Sequence, residues 1–354
     1  MFEADDWLAL AEAPGIGAVR WGALMRGELA AADATGLVDR ARAATSRRQR
    51  SDLRARCRDL GIEILSPAHG DWPSALRALA DPPAVLFARG STALLSAPQI
   101  AIVGARRASR RGLADAAWFA ADLARAGLTV TSGLALGIDG AAHVAALESA
   151  GTTVAVLGGG LDRVYPARHR HLARRIVERG LLLSEFPPGT APAAHHFPRR
   201  NRVISGLARG VLVIEAGERS GSMITARLAA EQGREVFAVP GPVRDANAAG
   251  CLRLLREGAC LARSARDVLD ELGLAPAPEP DPAAGPVDRA AEAGPVAGSE
   301  AARVLDAIDD AGTAFDVVVA RTALAPARLA ALITELELDG RIALDADRLF
   351  RLHG

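Results

Sequence analysis

Short apolar runs recur along residues 98–273, with helix-like apolar spacing between them. The runs cover residues 100–103, 128–132, 153–157, 181–184, 211–214 and 235–239. Most are apolar at nearly every position, as in strands covered by helices on both faces. Strands that alternate with helices predict βαβ units and an α/β fold with a parallel, doubly wound sheet. Ligands of such sheets bind at the carboxyl ends of the strands, so the residues after each run are candidates for a site.

The segments on either side have a different pattern. Residues 1–65 predict helices, and the turn Gly15-Ile16-Gly17 between two of them is typical of helix-hairpin-helix and SAM-like domains. The backbone N–H groups of such a turn can hold a phosphate, although most glycine-rich turns are only turns. Residues 274–299 contain six prolines and no apolar periodicity, which predicts a linker. Residues 300–354 predict helices and then a small hairpin, as in a winged-helix domain. The core between the helical domain and the linker spans residues 66–273.

Composition excludes several classes of chemistry. The chain of 354 residues has 42 basic and 42 acidic side chains, and every basic one is arginine. Without lysine there is no Walker A loop and no pyridoxal Schiff base. Three cysteines without a CxxC pair predict neither a zinc site nor a disulfide framework. No apolar run reaches the roughly 18 residues of a membrane span and the N-terminus is no signal peptide, so we expect a cytoplasmic protein.

The ends of the first three runs carry glycine, serine and arginine. Arg106 follows the first run, Ser132 and Gly133 end the second, and Gly158 and Gly160 follow the third. Small residues let backbone N–H groups approach an anion closely. The three-glycine spacing and the acid of a dinucleotide fingerprint are missing. This pattern predicts an anionic ligand and disfavours a nicotinamide cofactor.

The segment 195–202, His-His-Phe-Pro-Arg-Arg-Asn-Arg, concentrates cationic and aromatic groups before an apolar stretch at 203–207 that predicts a helix. Arginine forks match phosphates, a helix N-terminus adds its dipole, and an aromatic ring can stack on a base. The alternative is a solvated loop paired with acidic neighbours. The candidate nucleic-acid contacts here are Phe197, Arg199, Arg200, Asn201 and Arg202.

Hydroxyl side chains stand at another predicted helix start. Ser220, Ser222 and Thr225 follow the fifth run, where they suit either helix capping or phosphate binding. Asp139 and His143 are four residues apart, but no third ligand is evident and an i,i+4 contact explains the spacing. We therefore expect no metal and no cofactor.

These motifs together resemble the bacterial DNA-processing protein A family (DprA, also called Smf). The matching segments follow one another in the same order over residues 70–272, so the resemblance is highly specific. They are residues 102–106, 132–139, 156–162 with 165–166, 184–187, 197–202, 215–216, 220–226 and 236–241.

The resemblance implies an extended Rossmann-like core with a SAM-like domain before it and a winged-helix domain after it. It implies a protein of natural transformation that binds incoming single-stranded DNA, protects it, and helps to load the RecA recombinase. The resemblance also implies that the protein is a homodimer. The implied DNA contacts are Arg106 and the element at Arg200, Asn201 and Arg202. The resemblance also implies DNA contacts, less directly, at these glycine and hydroxyl-bearing residues: Ser132, Gly133, Gly158, Gly160, Ser220, Ser222 and Thr225.

The chain departs from the family pattern at three positions. Ala105 replaces a hydroxyl, Arg111 stands where an aromatic residue is frequent, and Leu252 replaces a polar residue after Cys251. Leu252, Leu255 and Leu261 could form an apolar dimer surface or belong to the core.

An enzyme is the rival hypothesis. The strand-end pocket is similar to that of nucleotide-hydrolysing phosphoribohydrolases, which have a Pro-Gly-Gly-x-Gly-Thr-x-x-Glu segment at the position of residues 215–225. Here the Pro-Gly-Gly is absent, and Glu215 precedes the glycine instead of following the threonine. No pair of carboxylates with an activator stands out, so a binding protein without catalytic activity is the main prediction. Residues 300–354 contain six arginines and at least nine acids, which disfavours a DNA-reading winged helix and favours a protein contact or self-regulation.

Overall fold

A computed structural model describes residues 2–70, 72–274, 299–309, 312–338, 341–345 and 348–351. The chain begins with four helices, α1 (Ala4–Glu12), α2 (Ala18–Arg26), α3 (Ala31–Ala44) and α4 (Arg47–Asp59). Gly27 ends α2 in the left-handed conformation with φ of 73°, which glycine adopts without strain. Helices predicted for residues 1–65 are thus present.

The following elements alternate as the apolar runs predict. In chain order they are β1 (Glu63–Leu65), α5 (Ser74–Arg77), β2 (Leu86–Gly90), β3 (Gln99–Val103), α6 (Arg110–Arg125), β4 (Thr129–Ser132), α7 (Ile138–Glu148), β5 (Thr153–Leu157), α8 (Arg170–Arg179), β6 (Leu181–Ser184), α9 (His196–Leu207), β7 (Gly210–Val213), α10 (Gly221–Glu231), β8 (Glu235–Ala238), α11 (Ala249–Arg256), β9 (Cys260–Leu261) and α12 (Ala265–Glu271). All six predicted strands are present, within two residues of the predicted ends.

Nine strands form one sheet in the order β1-β2-β6-β5-β4-β3-β7-β8-β9. The seven strands from β6 to β9 are parallel, which confirms the doubly wound α/β prediction. Strands β1 and β2 add an antiparallel edge that the sequence pattern did not predict. The strand order reverses between β3 and β7, and this reversal is the topological switch point at which such sheets bind ligands.

Helices cover both faces of the sheet. Ile100 and Ile102 of β3 pack in a core with α6, α7 and α12. Ala101 and Val103, which point to the opposite face, pack in a core with α9 and α10. Near-continuous apolar strands are required because each strand buries both faces.

The N-terminal helices share the second of these cores. Trp7 and Leu10 of α1 belong to the same buried cluster as Leu86 and Leu183 of the sheet. Residues 1–279 form one compact unit and residues 280–354 a second. A domain boundary at residue 65 stays a prediction, and the predicted linker at 274–299 lies almost wholly outside the described residues.

The second unit contains α13 (Glu300–Asp306), β10 (Thr313–Ala314), α14 (Phe315–Thr322), α15 (Pro326–Leu338), β11 (Ile342–Asp345) and β12 (Arg348–Arg351). Its three strands pair antiparallel in the order β10-β12-β11. Val304, Val318, Leu329 and Leu349 meet in its core. This arrangement confirms the winged-helix prediction and adds the short strand β10.

No single helix among the described residues is long and apolar enough to span a membrane. The helices Phe315–Thr322 and Pro326–Glu337 together reach the necessary length and apolar character, but the chain bends by 110° between them.

A buried histidine joins α7 to the sheet. The Nδ1 atom of His143 lies 2.6 Å from the hydroxyl of Thr153, which itself donates to the carbonyl of Val130. His143 therefore donates through Nδ1, and its buried Nε2 has no hydrogen-bond partner within the described residues. The Nδ1 side of the ring is therefore engaged with the sheet, through Thr153. Burial lowers the pKa of His143 to about 3.

This shift predicts a pH dependence of stability. The unfolded chain takes up a proton at His143 below about pH 6.5, whereas the folded chain does not until about pH 3, so stability falls as pH drops through this window. His143 contributes at most about 1.4 kcal/mol per pH unit to the slope of the free energy of unfolding against pH. Urea unfolding between pH 7 and pH 4 measures it. His143→Gln should unfold with a shallower pH dependence, whatever its absolute stability, and parallel curves for both proteins would refute the assignment.

Candidate functional site

The chain leaves β3 and β7 in opposite directions at the switch point, and hydrogen bonds hold the two departing loops together. The N–H of Ala105 donates to the carbonyl of Glu215 at 2.6 Å, and the N–H of Ile138 donates to the carbonyl of Ala105 at 3.2 Å. The carboxylate of Glu215 accepts from the N–H of Ser109 at 2.9 Å, at the start of α6. These bonds fix the loop that carries Arg106.

An open cleft of about 540 Å³ lies between these loops. Its walls come from the loop after β3, the first turns of α7, α9 and α10, and the loop after β7. The side chains that carry its polar groups are Arg106, Arg107, Asp139, Arg200, Asn201, Arg219, Ser220, Ser222, Thr225 and Asn247.

The charge of this edge is strongly positive although the chain is neutral. Arg106, Arg107 and Arg219 form no ion pair within the described residues. Helices α8, α9 and α10 begin at this edge without an acid in their first turns, and their N-terminal dipoles add to the arginine charges. The other two helix starts carry acids, because Glu215 accepts from the N–H of Ser109 at the start of α6 and Asp139 lies in the first turn of α7.

The segment 195–202 is not a loop before a helix. Helix α9 begins at His196, so the prediction of a helix start at residue 203 is wrong. Pro198 is compatible with this start, because first-turn N–H groups have no intrahelical partner. Side chains three or four residues apart share a face of a helix, and Phe197, Arg200, Asn201 and Ile204 accordingly line the cleft together.

Arg106 and Arg200 converge on the ring of Phe197. The guanidinium carbon of Arg106 lies 5.0 Å from the ring centroid and that of Arg200 lies 5.9 Å away. Both distances suit cation–π contact. Arg106 is exposed and Arg200 is buried. The ring is therefore fixed in place while the exposed guanidinium next to it is available to a ligand.

Arg200 is held by the ends of two strands. Its Nη1 donates to the carbonyls of Gly133 at 2.6 Å and Val156 at 2.5 Å. Burial lowers the pKa of Arg200 to about 10, and the charge of Asp139 opposes that shift. Burial likewise raises the pKa of Asp139, whose carboxylate also accepts from the N–H groups of Gly133 and Ala135. At neutral pH the Arg200 charge stays in the floor of the cleft.

Arg199 and Arg202, which the sequence predicts as nucleic-acid contacts, lie on another side of α9 and pair with Glu185 instead of lining the cleft. Arg202 is buried between Glu185, at 2.5 Å, and Asp81, at 3.0 Å. Arg199 is half-exposed and 3.5 Å from the same carboxylate of Glu185. The physical reason is helical geometry, which separates them from Arg200 by about 100° per residue. Neither residue lines the cleft.

The predicted strand-end residues of β4 and β5 use their polar groups internally. The Ser132 hydroxyl donates to the carbonyl of Ile102, the N–H of Gly133 donates to Asp139, and the N–H of Gly160 donates to the carbonyl of Thr190. Gly158 is needed for another reason, because the ring of Phe197 occupies the space of a side chain there. None of the four lines the cleft, and their assignment as DNA contacts stays a prediction.

Helix α10 begins as predicted with hydroxyl groups in the cleft. Ser220 is the N-cap and accepts from the N–H of Ser222 at 3.4 Å. The two serine hydroxyls lie 2.7 Å apart. Thr225 is buried one turn further along the helix. Capping and cleft lining therefore coincide at this helix start.

Sequence reasoning missed four further residues. Arg107, Arg219 and Asn247 line the cleft. Tyr165 is 54% exposed, with its ring centroid 6.1 Å from that of Phe197. A strand-end position was an available signal for the two arginines, whereas the contact of Tyr165 with Phe197 joins residues that are distant in the sequence.

The predicted dimer leucines differ in environment. Leu255 packs partly buried against the main core, Leu252 is half-buried, and Leu261 is 48% exposed on β9, the last strand of the sheet. Leu261 is thus the most accessible of the three.

These features define a class: a Rossmann-like protein with an arginine-rich aromatic cleft at its switch point, followed by a winged-helix domain. Residues 63–273 match the family model of DNA recombination-mediator protein A, and residues 275–347 match that of the DprA winged helix domain. The chain belongs to the DNA recombination-mediator protein A family, which confirms the resemblance seen in its motifs.

Known relatives agree. The chain is 43% identical to Protein Smf of Escherichia coli (strain K12) over 284 residues, which cover 79% of this chain and 75% of that protein. The solved structure of DNA processing protein A from Streptococcus pneumoniae aligns with a TM-score of 0.66 and 36% identity, over 75% of this chain and 97% of that one. A structure from Helicobacter pylori, described for the single-stranded DNA binding mode of its DNA processing protein A, aligns with a TM-score of 0.55 and 31% identity, over 60% and 95% of the chains.

The two arginines that share Glu185 should differ sharply in their effect on folding. Arg202→Ala leaves a buried carboxylate without its partner and should lower the free energy of unfolding by about 3–5 kcal/mol. Arg199→Ala removes a longer, half-exposed contact to the same carboxylate and should cost less than about 1 kcal/mol. Urea denaturation of both variants measures the difference. Equal effects of the two substitutions would show that Arg202 has no special structural role.

Proposed function

We propose that the cleft binds single-stranded DNA and that the protein acts in the processing of incoming DNA during natural transformation. The observation that carries the proposal is the convergence of Arg106 and Arg200 on the ring of Phe197, beside the N-terminus of α10. Phosphates lie against Arg106, Arg107 and Arg219, and a base stacks near Phe197. Membership of the family and the relatives' DNA-processing names support this role.

The shape of the site favours a single strand over a duplex. Phe197 and the buried Arg200 lie in the floor of a crevice that opens between loops, so a base reaches the ring only when it is unstacked and unpaired. A duplex presents its phosphates but keeps its bases inside. The exposed arginines therefore give a duplex some affinity through its phosphates, whereas the ring of Phe197 contributes nothing to duplex binding.

Among the polar side chains of the described cleft, Asp139 is the one carboxylate. One of its oxygens, Oδ2, accepts from the backbone N–H groups of Gly133 and Ala135. Glu215 lies outside the lining and caps α6 through Ser109. No observation favours the nucleotide-hydrolysing alternative, and a binding role without catalysis stays our prediction.

Removing Arg106 should weaken the binding of a single strand. Arg106 is exposed and lacks a carboxylate partner within the described residues, so Arg106→Ala removes a ligand contact without disturbing the fold. The expected reduction is about 1–3 kcal/mol of binding free energy. The slope of log affinity against log salt should become shallower by about 0.7 for each phosphate that the variant no longer neutralises. Titration of a fluorescent thymidine oligonucleotide at several salt concentrations measures both.

Arg20→Ala is the matched control, because Arg20 is an exposed arginine of α2 outside the cleft and its side chain has no ion pair with any residue that the structure describes. Unlabelled duplex of equal length should compete poorly with the labelled strand. Wild-type affinity in the Arg106 variant, or an equally large reduction in the Arg20 variant, would contradict the proposed site.

The proposed partners are a second copy of the chain and a recombinase of the RecA type. A recombination mediator delivers a strand to a recombinase, so the family supports RecA. The dimer is supported by β9, which lies at the edge of the nine-stranded sheet in the described part of the chain and carries the exposed side chain of Leu261. Leu252 on the preceding helix α11 is a further candidate contact, while Leu255 serves mainly the core.

A charge on the β9 edge should therefore break the dimer. Leu261→Glu places a carboxylate on this exposed position, where it is tolerated in the monomer but not in an apolar interface. Sedimentation velocity should show a dimer for the wild type and a monomer for the variant at the same concentration. Val317→Glu, a comparably exposed apolar position on α14, is the control. A wild-type monomer, or a dimer in the Leu261 variant, would refute the assignment.

A further inference from the structure

A second groove, of about 470 Å³, lies on the surface of α8. Its walls are α8, the end of β2, the start of β6, the residue Leu60 after α4, and the loop that follows β5. Its charged residues are Arg89, Arg170 and Arg174, with Asp162 and Glu178.

The three arginines of this groove are unpaired. All three residues are exposed, and the guanidinium groups of Arg89, Arg170 and Arg174 form neither an ion pair nor a hydrogen bond with any described residue. Other arginines of the same helix are engaged. Arg175 lies 3.7 Å from Glu148, and Arg179 donates to the carbonyl of Leu147 at 3.0 Å. The charges of α8 that face the groove are therefore the ones left available.

The position of these charges opposes helix stability. Arg170 is the first residue of α8 and Arg174 lies one turn later, with no acid in the first turn. Cations near a helix N-terminus are unfavourable, because they face the positive end of the helix dipole. A bound anion relieves this repulsion, so the placement suits a ligand better than it suits the helix alone.

The acids of the groove do not cancel this charge. Asp162 is already neutralised by Arg56 at 3.1 Å and also accepts from the N–H of Gly189 at 2.7 Å. Of the two acids that line the described groove, only Glu178 is left to balance the charges of the three arginines. The floor between them is apolar and consists of Leu161, Val164, Val177 and Leu182. Apolar surface between guanidinium groups suits a chain that carries both phosphates and bases.

The loop after β5 connects the groove to the cleft. The ring of Phe197 packs on Gly158 at the start of this loop, and the exposed ring of Tyr165 lies beside Phe197 near its end. Between them, Leu161 and Val164 of the same loop line the groove. One short loop thus has the cleft on one side and the arginine groove on the other.

We propose that the groove is a second subsite for the same single strand, which leaves the cleft past Phe197, crosses Tyr165, and lies with its phosphates against Arg89, Arg170 and Arg174. This inference rests on the proposed function of the cleft. It assigns the groove to the part of a longer strand that extends beyond the cleft.

The test compares two oligonucleotide lengths. Thymidine oligomers of about 4 and about 16 nucleotides span the range of site sizes known for single-strand binders. The double variant Arg170→Ala/Arg174→Ala should bind the longer oligomer about tenfold or more weakly than the wild type. Its slope of log affinity against log salt should be shallower by about 1.4, because two phosphates keep their counterions. Its affinity for the short oligomer should equal that of the wild type.

The controls separate this proposal from the proposed function. Arg106→Ala should weaken both lengths, and Arg20→Ala should weaken neither. Wild-type behaviour of the double variant on the long oligomer, with a working Arg106 control, overturns the groove and leaves the cleft intact. An equal weakening of both lengths by the double variant also overturns it. Failure of the wild type to bind either oligomer overturns the proposed function itself.

Tyr165 gives an independent readout of the path between the sites. Tyr165→Phe keeps the ring and should bind the long oligomer as the wild type does. Tyr165→Ala removes the ring and should weaken that binding by about fivefold or more, because a base can no longer stack there. If both variants bind the long oligomer like the wild type, the strand does not cross this ring.

Discussion

The buried guanidinium group of Arg200 fixes helix α9 against the ends of strands β4 and β5. Arg200 enters from α9, donates to carbonyls at the ends of β4 and β5, and faces the carboxylate of Asp139 on α7. Burying a cation is costly unless its partners are fixed, so this contact determines how α9 lies across the sheet edge. Phe197, one turn earlier, is thereby placed under Arg106. The position of the Phe197 ring in the floor of the cleft therefore depends on the buried charge of Arg200.

The arginines of this lysine-free chain divide according to their surroundings. Arg202 and Arg50 are buried against carboxylates and belong to the fold. Arg106, Arg107 and Arg219 line the cleft without such partners. Because the total charge is zero, nucleic-acid affinity depends on this local separation and on helix N-termini that collect at one sheet edge. The planar fork of arginine suits both environments, since it binds carboxylates and phosphates with the same geometry.

The loop after β5 connects packing to function. Gly158 admits the ring of Phe197 on one side, and Leu161 and Val164 form part of the neighbouring groove on the other. Asp162 in the same loop binds Arg56 of α4 and so attaches the N-terminal helices to the sheet edge. The close packing of this helical segment on the core, in one compact unit, is consistent with such a shared element.

The sequence by itself determined the doubly wound core, the winged-helix order and the edge of the sheet at which the site lies. Strands buried on both faces require continuous apolar runs, and these runs are readable one residue at a time. Antiparallel β2 and the start of α9 were missed, because edge pairing and a first-turn proline depend on neighbours. Only the tertiary structure separated Arg200 from Arg199 and Arg202 and brought Tyr165 to Phe197. The direction of a side chain around a helix, and contacts between distant segments, are set by packing and not by the local pattern.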